Sequence, residues 1–222
     1  MYQLFLLLFF SWAVRATTFD YSRSTDNLKR DLIKELYKIE AIQIKNVHLK
    51  SGLLTPLYFD MRIVISHYEI LGLLTHLMRE RVSESAFDLI CGVPYGAIPL
   101  TTAIAIFGKY PMIMLRKEAK GYGNKKLIEG VFKKGDSCAL IEDVITTGSS
   151  IMESIEKLES EGLTIKDIFV VIDREQDGIA HVQKYGYKVH ALFTVSEVLQ
   201  ILFDENIISH EQCNAIKQGY YA

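Results

Sequence analysis

Apolar positions recur along this chain with two different periods. Leu28, Leu32, Ile33, Leu36 and Ile39 repeat at helical spacing, and Asp26 stands where it could cap that helix. Ile42, Ile44, Val47 and Leu49 then suggest short strands, Lys50-Ser51-Gly52 a turn, and Leu57–Met61 a further strand after Pro56. Ile70, Leu71, Leu74, Leu77 and Met78 predict a helix over Tyr68–Arg79. Short apolar runs at 87–93, 111–115, 138–141, 168–172 and 188–193 predict strands that alternate with helices from about Ile98, over 151–161, over 196–203 and over 209–217. Strands alternating with helices imply an α/β fold with a mainly parallel central sheet flanked by helices.

The densest chemistry lies at Cys138–Ser150. An apolar strand is predicted to end at two adjacent carboxylates, Glu142 and Asp143. Val144 and Ile145 follow, then Thr146-Thr147-Gly148-Ser149-Ser150, and then an amphipathic helix that Gly162 stops. A loop of small residues feeding a helix N-terminus exposes backbone N–H groups at the positive end of the helix dipole, which suits a phosphate. Carboxylates there would repel phosphate, so they need another partner: the hydroxyls of a diol, or a divalent metal. A sugar phosphate, with or without Mg²⁺, satisfies both. The plainer alternative is a strand–turn–helix with a hydroxyl cap and a solvated acidic pair. No Lys follows Gly148, which excludes a P-loop, and Gly121-Tyr122-Gly123 lies in a charged segment without the glycine pattern of a dinucleotide fingerprint.

Composition sets limits. At 222 residues and 49% hydrophobic, the chain can bury a substantial core, and a net charge of −2 offers no general attraction to nucleic acid or a membrane. Cys91, Cys138 and Cys213 form neither a Cys-x-x-Cys nor a zinc spacing and read as buried free thiols. Against this background Arg116–Lys126, with five basic residues and two glycines, is the strongest positive cluster. It could be a solvated face, or a mobile cationic loop that neutralises a leaving group. Pro94-Tyr95-Gly96-Ala97 is either a tight turn or a place where backbone approaches a ligand. Arg174 reads as a surface ion pair with Glu175 or as a ligand contact beyond a strand end.

Leu4–Phe10 is strongly apolar, and Val14-Arg15-Ala16 resembles a signal-peptide cleavage site, although no positive segment precedes the run. A secretory signal, a weak anchor and a start codon placed upstream of the true one are the three readings. All three leave residues 1–20 as an extension outside a domain spanning 21–222.

Cys138–Ser150 resembles the phosphoribosyl diphosphate (PRPP) motif of the type I phosphoribosyltransferases. Lys50-Ser51-Gly52, Tyr58-Phe59, the 116–126 loop and Arg174 together resemble the orotate phosphoribosyltransferases, including the N-terminal half of bifunctional UMP synthases, over roughly Asn27–Lys217. The resemblance implies a type I phosphoribosyltransferase fold with a small N-terminal hood, and transfer of phosphoribosyl from PRPP to orotate, giving orotidine 5′-monophosphate and diphosphate on the route to UMP. It implies PRPP contacts from Lys50, Tyr95, Gly96, Arg116, Lys117, Lys120, Tyr122 and the run Glu142, Asp143, Val144, Ile145, Thr146, Thr147, Gly148, Ser149 and Ser150. Orotate falls to Tyr58, Phe59, Thr146 and Arg174. Lys117 and Lys120 with Mg²⁺ serve the diphosphate, and Glu142 and Asp143 serve the ribose.

The Mg²⁺ is expected to bind mainly through PRPP, and the loop to act across a homodimer interface. A cytoplasmic enzyme is implied, with the secretory pathway as the alternative if residues 1–16 are a real signal. Relatives often carry His at the Tyr122 position, and some carry Lys at Gly96. The bifunctional relatives continue into a decarboxylase with Asp-x-Lys-x-x-Asp, a motif absent from this sequence. A phosphoribosyltransferase for another base and a non-catalytic PRPP sensor are the alternatives. The lysine loop argues against a sensor, which has no leaving group to stabilise.

Overall fold

In the computed structural model, which describes residues 19–48, 54–118 and 127–220, the first helical pattern becomes α1 (Thr25–Lys38). Its N-cap is Ser24, whose side chain accepts from the Asn27 N–H. Asp26 instead sits in the first turn, where its charge complements the helix dipole. Leu28, Leu32, Ile33 and Leu36 are buried, each contributing about 1.5–3 kcal/mol by leaving water. Phe19 is buried in the same core and Tyr21 packs edge-on against His76, so ordered packing begins before residue 21.

Strands β1 (Ile42–His48) and β2 (Leu54–Phe59) form a separate antiparallel pair. Pro56 lies within β2 because the register slips between Ile44 and Val47, and a proline without an N–H is accommodated at such a bulge. Met61 lies beyond the strand and opens a 3-10 turn, Met61–Ser66.

The remaining elements in chain order are α2 (Tyr68–Val82), β3 (Leu89–Gly92), α3 (Ile98–Gly108), β4 (Met112–Leu115), β5 (Ile128–Glu129), β6 (Ser137–Ile145), α4 (Ser149–Ser160), β7 (Thr164–Asp173), α5 (Gly178–Gln183), β8 (Lys188–Thr194), α6 (Val195–Asp204) and α7 (His210–Tyr220). The six strands β3–β8 form one sheet in the order β5-β4-β3-β6-β7-β8, parallel except for the β4–β5 edge pair. One face packs against α1, α2, α3, α6 and α7 through Ile90, Ala139, Ile141, Phe169 and Val171. The other packs against α4 and α5 through Cys91, Cys138, Leu140, Ile168 and Val170. Coverage on both faces explains why these strands read as continuous apolar runs.

All three cysteines are free and buried. Burial pushes the Cys91 thiol up to about 12 and raises Cys138 as well, so neither supplies a thiolate nucleophile. No described helix is long and apolar enough to cross a membrane.

Candidate active site

From β3 the chain crosses through α3 to β4 on one side. From β6 it crosses through α4 to β7 on the other. Neighbouring strands whose connections diverge leave a crevice at their carboxyl ends, where open α/β sheets bind ligands. The chemistry-bearing segments of the sequence converge there: Pro94–Gly96 after β3, Arg116 after β4, Glu142–Ser150 from β6 and Arg174 after β7.

Strand β6 does not stop at the acid pair. It runs on to Ile145, held by pairing of Glu142 with Val170, Val144 with Ile172 and Ile145 with Asp173 of β7. Consecutive strand residues face opposite sides, so the two carboxylates diverge. Glu142 is 5% exposed. Its Oε1 accepts the Asp143 N–H at 3.0 Å and its Oε2 accepts the Ser150 hydroxyl at 2.9 Å. Burial, reinforced by the neighbouring Asp143 charge, holds the Glu142 carboxyl well above the usual range.

Asp143 turns to the other face. Its Oδ1 accepts the Val144 N–H at 2.8 Å, and its Oδ2 lies where a Cβ on Gly96 would stand. The Gly96 backbone and the Asp143 carboxylate are thus in direct contact. They line one small recess together with Met61, Val64 and Ile65 of the 3-10 turn.

Thr146–Ser150 is shaped by two glycines. Gly148 has φ +79°, and a Cβ there would stand 2.7 Å from Val182 Cγ2. Gly178, at the start of α5, packs so closely on the Thr146 carbonyl that a side chain would collide with it. Helix α5 escapes sequence reasoning because six residues are too few to show a period. What it does is buttress this loop. Thr147, Ser149 and Ser150 are exposed at the start of α4, and the Thr147 and Ser149 hydroxyls pair at 2.9 Å. The Ser149 N–H meets the Thr147 hydroxyl at 3.5 Å; hydroxyls and first-turn N–H groups gathered at a helix start form an anion cradle.

On the cationic side, the Lys117 ammonium lies 5.2 Å from the centroid of the Tyr95 ring, which is 63% exposed. The Lys157 ammonium anchors the Lys117 carbonyl at 2.8 Å. The Arg116 guanidinium is paired with Glu129 across the β4–β5 edge, with Nε and Nη2 at 2.8 and 2.7 Å from one carboxylate oxygen. Lys120, Tyr122 and Lys50 lie outside the described residues.

Alternation in β2 splits the aromatic pair. Phe59, 6% exposed, points into the core, and Tyr58 is the partly exposed member. Arg174 is no surface residue: it is 5% exposed. Its Nε donates to the Tyr220 hydroxyl at 2.8 Å and its Nη2 to Thr55 Oγ1 at 3.4 Å. Sequence reasoning missed Tyr220, Thr55 and Arg62. Arg62 is clamped to Asp60 through Nε and Nη2 at 2.7 and 2.9 Å. The Asp60 carboxylate, with smaller contributions from Tyr58 and Asp143, raises the guanidinium above its usual range. The pattern Asp-x-Arg after a strand was the available signal. Among the described residues, no three His, Cys, Asp or Glu side chains cluster to hold a metal ion.

A carboxylate and an anion cradle on one strand–turn–helix, with a two-stranded hood joined to the neighbouring strand end, are the arrangement of a type I phosphoribosyltransferase. Comparison with known proteins carries this further. The chain is 33% identical over 175 residues to the orotate phosphoribosyltransferase of Methanothermobacter thermautotrophicus, covering 79% of this chain and 96% of that one. It is 41% identical over 197 residues to uridine 5′-monophosphate synthase of Bos taurus, covering 88% of this chain and 41% of the bovine protein. It superposes on Leishmania donovani UMP synthase with a TM-score of 0.79 and 33% identity, over 86% of this chain and 41% of that one. The chain belongs to the orotate phosphoribosyltransferase family. No family model matches it. It spans about two fifths of the length of the UMP synthases it resembles, at 41% and 39% of the bovine and Caenorhabditis elegans proteins.

Proposed function

We infer that this chain transfers the phosphoribosyl group of PRPP to orotate. The observation that carries the reading is the placement of Asp143 with its anion cradle, and of the buried cation Arg174, at the carboxyl ends of adjacent strands β6 and β7. A sugar phosphate and an anionic planar base would then meet over one crevice. Orotate gives up its N1 proton to water, and N1 attacks the anomeric carbon as the bond to the diphosphate oxygen breaks, so that diphosphate leaves with the bonding pair. No side chain forms a covalent bond. The protein's task is positional and electrostatic.

In this reading the exposed hydroxyls of Thr147 and Ser149 and the first N–H groups of α4, that of Ser150 among them, hold the 5′-phosphate. Asp143 receives the ribose hydroxyls and steadies positive charge at the anomeric carbon. Glu142, buried on the far side, bonds Ser150 and so ties the acid pair to the cradle. Lys117 offers positive charge to the diphosphate beside Tyr95. Mg²⁺ would arrive mainly with PRPP, Asp143 is the carboxylate that would help hold it, and the ion would supply charge neutralisation at the leaving group.

A homodimer is part of the reading. Helix α3 is apolar nearly all round, and Ile106 and Phe107 stand 69% and 66% exposed on it, which favours a covered face.

The test mixes the full chain with PRPP, Mg²⁺ and orotate and follows orotate absorbance. Turnover with orotate, and little with uracil or hypoxanthine, is the expected result. Turnover only with another base would overturn the orotate assignment.

A further inference from the structure

Arg174 joins three parts of the chain that lie far apart in sequence. It follows β7, its Nη2 reaches Thr55 on the hood strand β2, and its Nε reaches Tyr220 at the end of α7. Both partners are neutral oxygens. The Thr55 hydroxyl donates its own proton to the Leu57 carbonyl at 2.9 Å, so toward Arg174 it can only accept. The guanidinium carbon lies 5.4 Å from the centroid of the Tyr220 ring, out beyond its hydroxyl edge. This guanidinium is 5% exposed and its side-chain partners are a phenol and an alcohol, which leaves Nη1 and the second Nη2 proton to be used. That edge suits the planar, bidentate acceptors of an anionic pyrimidine.

We propose that Tyr220 and Thr55 are positioning residues that aim Arg174 at the base, which makes the C-terminal helix α7 part of the base site. The proposal rests on the reading of Arg174 as the base contact. Recognition of the base then depends on contacts that the hood strand β2 and the last helix make to one side chain. The hood and the last helix are registered against each other by the side chain that the substrate engages.

The experiment compares steady-state constants of the full chain with Tyr220→Phe, Thr55→Val, Thr55→Ser and Arg174→Ala. Tyr220→Phe keeps the ring and removes the acceptor, so KM for orotate should rise about tenfold. KM for PRPP and the melting temperature should hold. Thr55→Val should raise KM for orotate in the same selective way, and Thr55→Ser should restore it. Should Tyr220→Phe fail to fold, the Thr55 pair carries the test alone. An orotate KM that rises with Arg174→Ala but holds in Tyr220→Phe and Thr55→Val overturns the proposal and leaves the base contact standing. Parallel rises in both KM values with a lowered melting temperature also overturn it, since that marks a purely structural role. An orotate KM unchanged by Arg174→Ala overturns the base contact and the proposal with it.

Discussion

Gly96 and Asp143 show how much one missing side chain decides. Any Cβ at 96 would occupy the place of Asp143 Oδ2, so the carboxylate keeps its rotamer only because glycine stands opposite. Gly96→Ala should fold normally and lose between about tenfold and a hundredfold in kcat/KM for PRPP, the usual cost of a displaced catalytic group. Steady-state kinetics beside a melting curve would check this; wild-type kcat/KM would refute it. Glu142 makes a different prediction. Burial raises its folded value above the unfolded one, so the folded chain holds this proton longer as pH rises. Stability from this group is present below the ordinary value of 4.5 and is lost as pH climbs through the folded value. Glu142→Gln should therefore gain on wild type progressively above that pH in urea unfolding, and a constant difference would contradict it. Both acids are legible in the sequence as a pair. Their divergence is not, because the strand end was placed before them, whereas pairing with β7 carries the strand through both.

At the scale of elements, periodicity located the helices α1 to α4, α6 and α7 and the strands β3, β4, β6, β7 and β8 of the main sheet, since each buries an apolar face. It missed α5 and the 3-10 turn, whose six residues each hold too little pattern. The cradle depends on that missed helix. Gly148→Ala would force φ near +79° on a residue with a Cβ and drive it against Val182 and the Gly178 carbonyl, at 2.7 and 3.0 Å. We expect a loss of about 1–3 kcal/mol in stability, together with a raised KM for PRPP. Chemical denaturation measures the first and kinetics the second. A variant with wild-type values for both would show that the loop adapts.

For the whole molecule, the exposed apolar side chains of α3 set the prediction. If the exposed Ile106 and Phe107 pack against a second copy, Phe107→Asp should convert a dimer to a monomer in sedimentation velocity. If the loop acts in trans, mixing two inactive variants, Lys120→Ala and Asp143→Asn, should restore part of the activity through mixed dimers. No recovery would count against a shared site.

The sequence by itself determined the element types, the sheet's buried strands and the presence of a phosphate-binding turn beside two acids, because each is written in local pattern and spacing. It also carried the resemblance to the family. Only the tertiary structure decided that Asp143 rather than Glu142 faces Gly96, that Phe59 is core, and that Arg174 is buried between Thr55 and Tyr220. Those outcomes depend on strand register and on contacts between residues as far apart as 55, 174 and 220. No local window contains them, since which face of a strand is covered is set by what the rest of the chain brings against it.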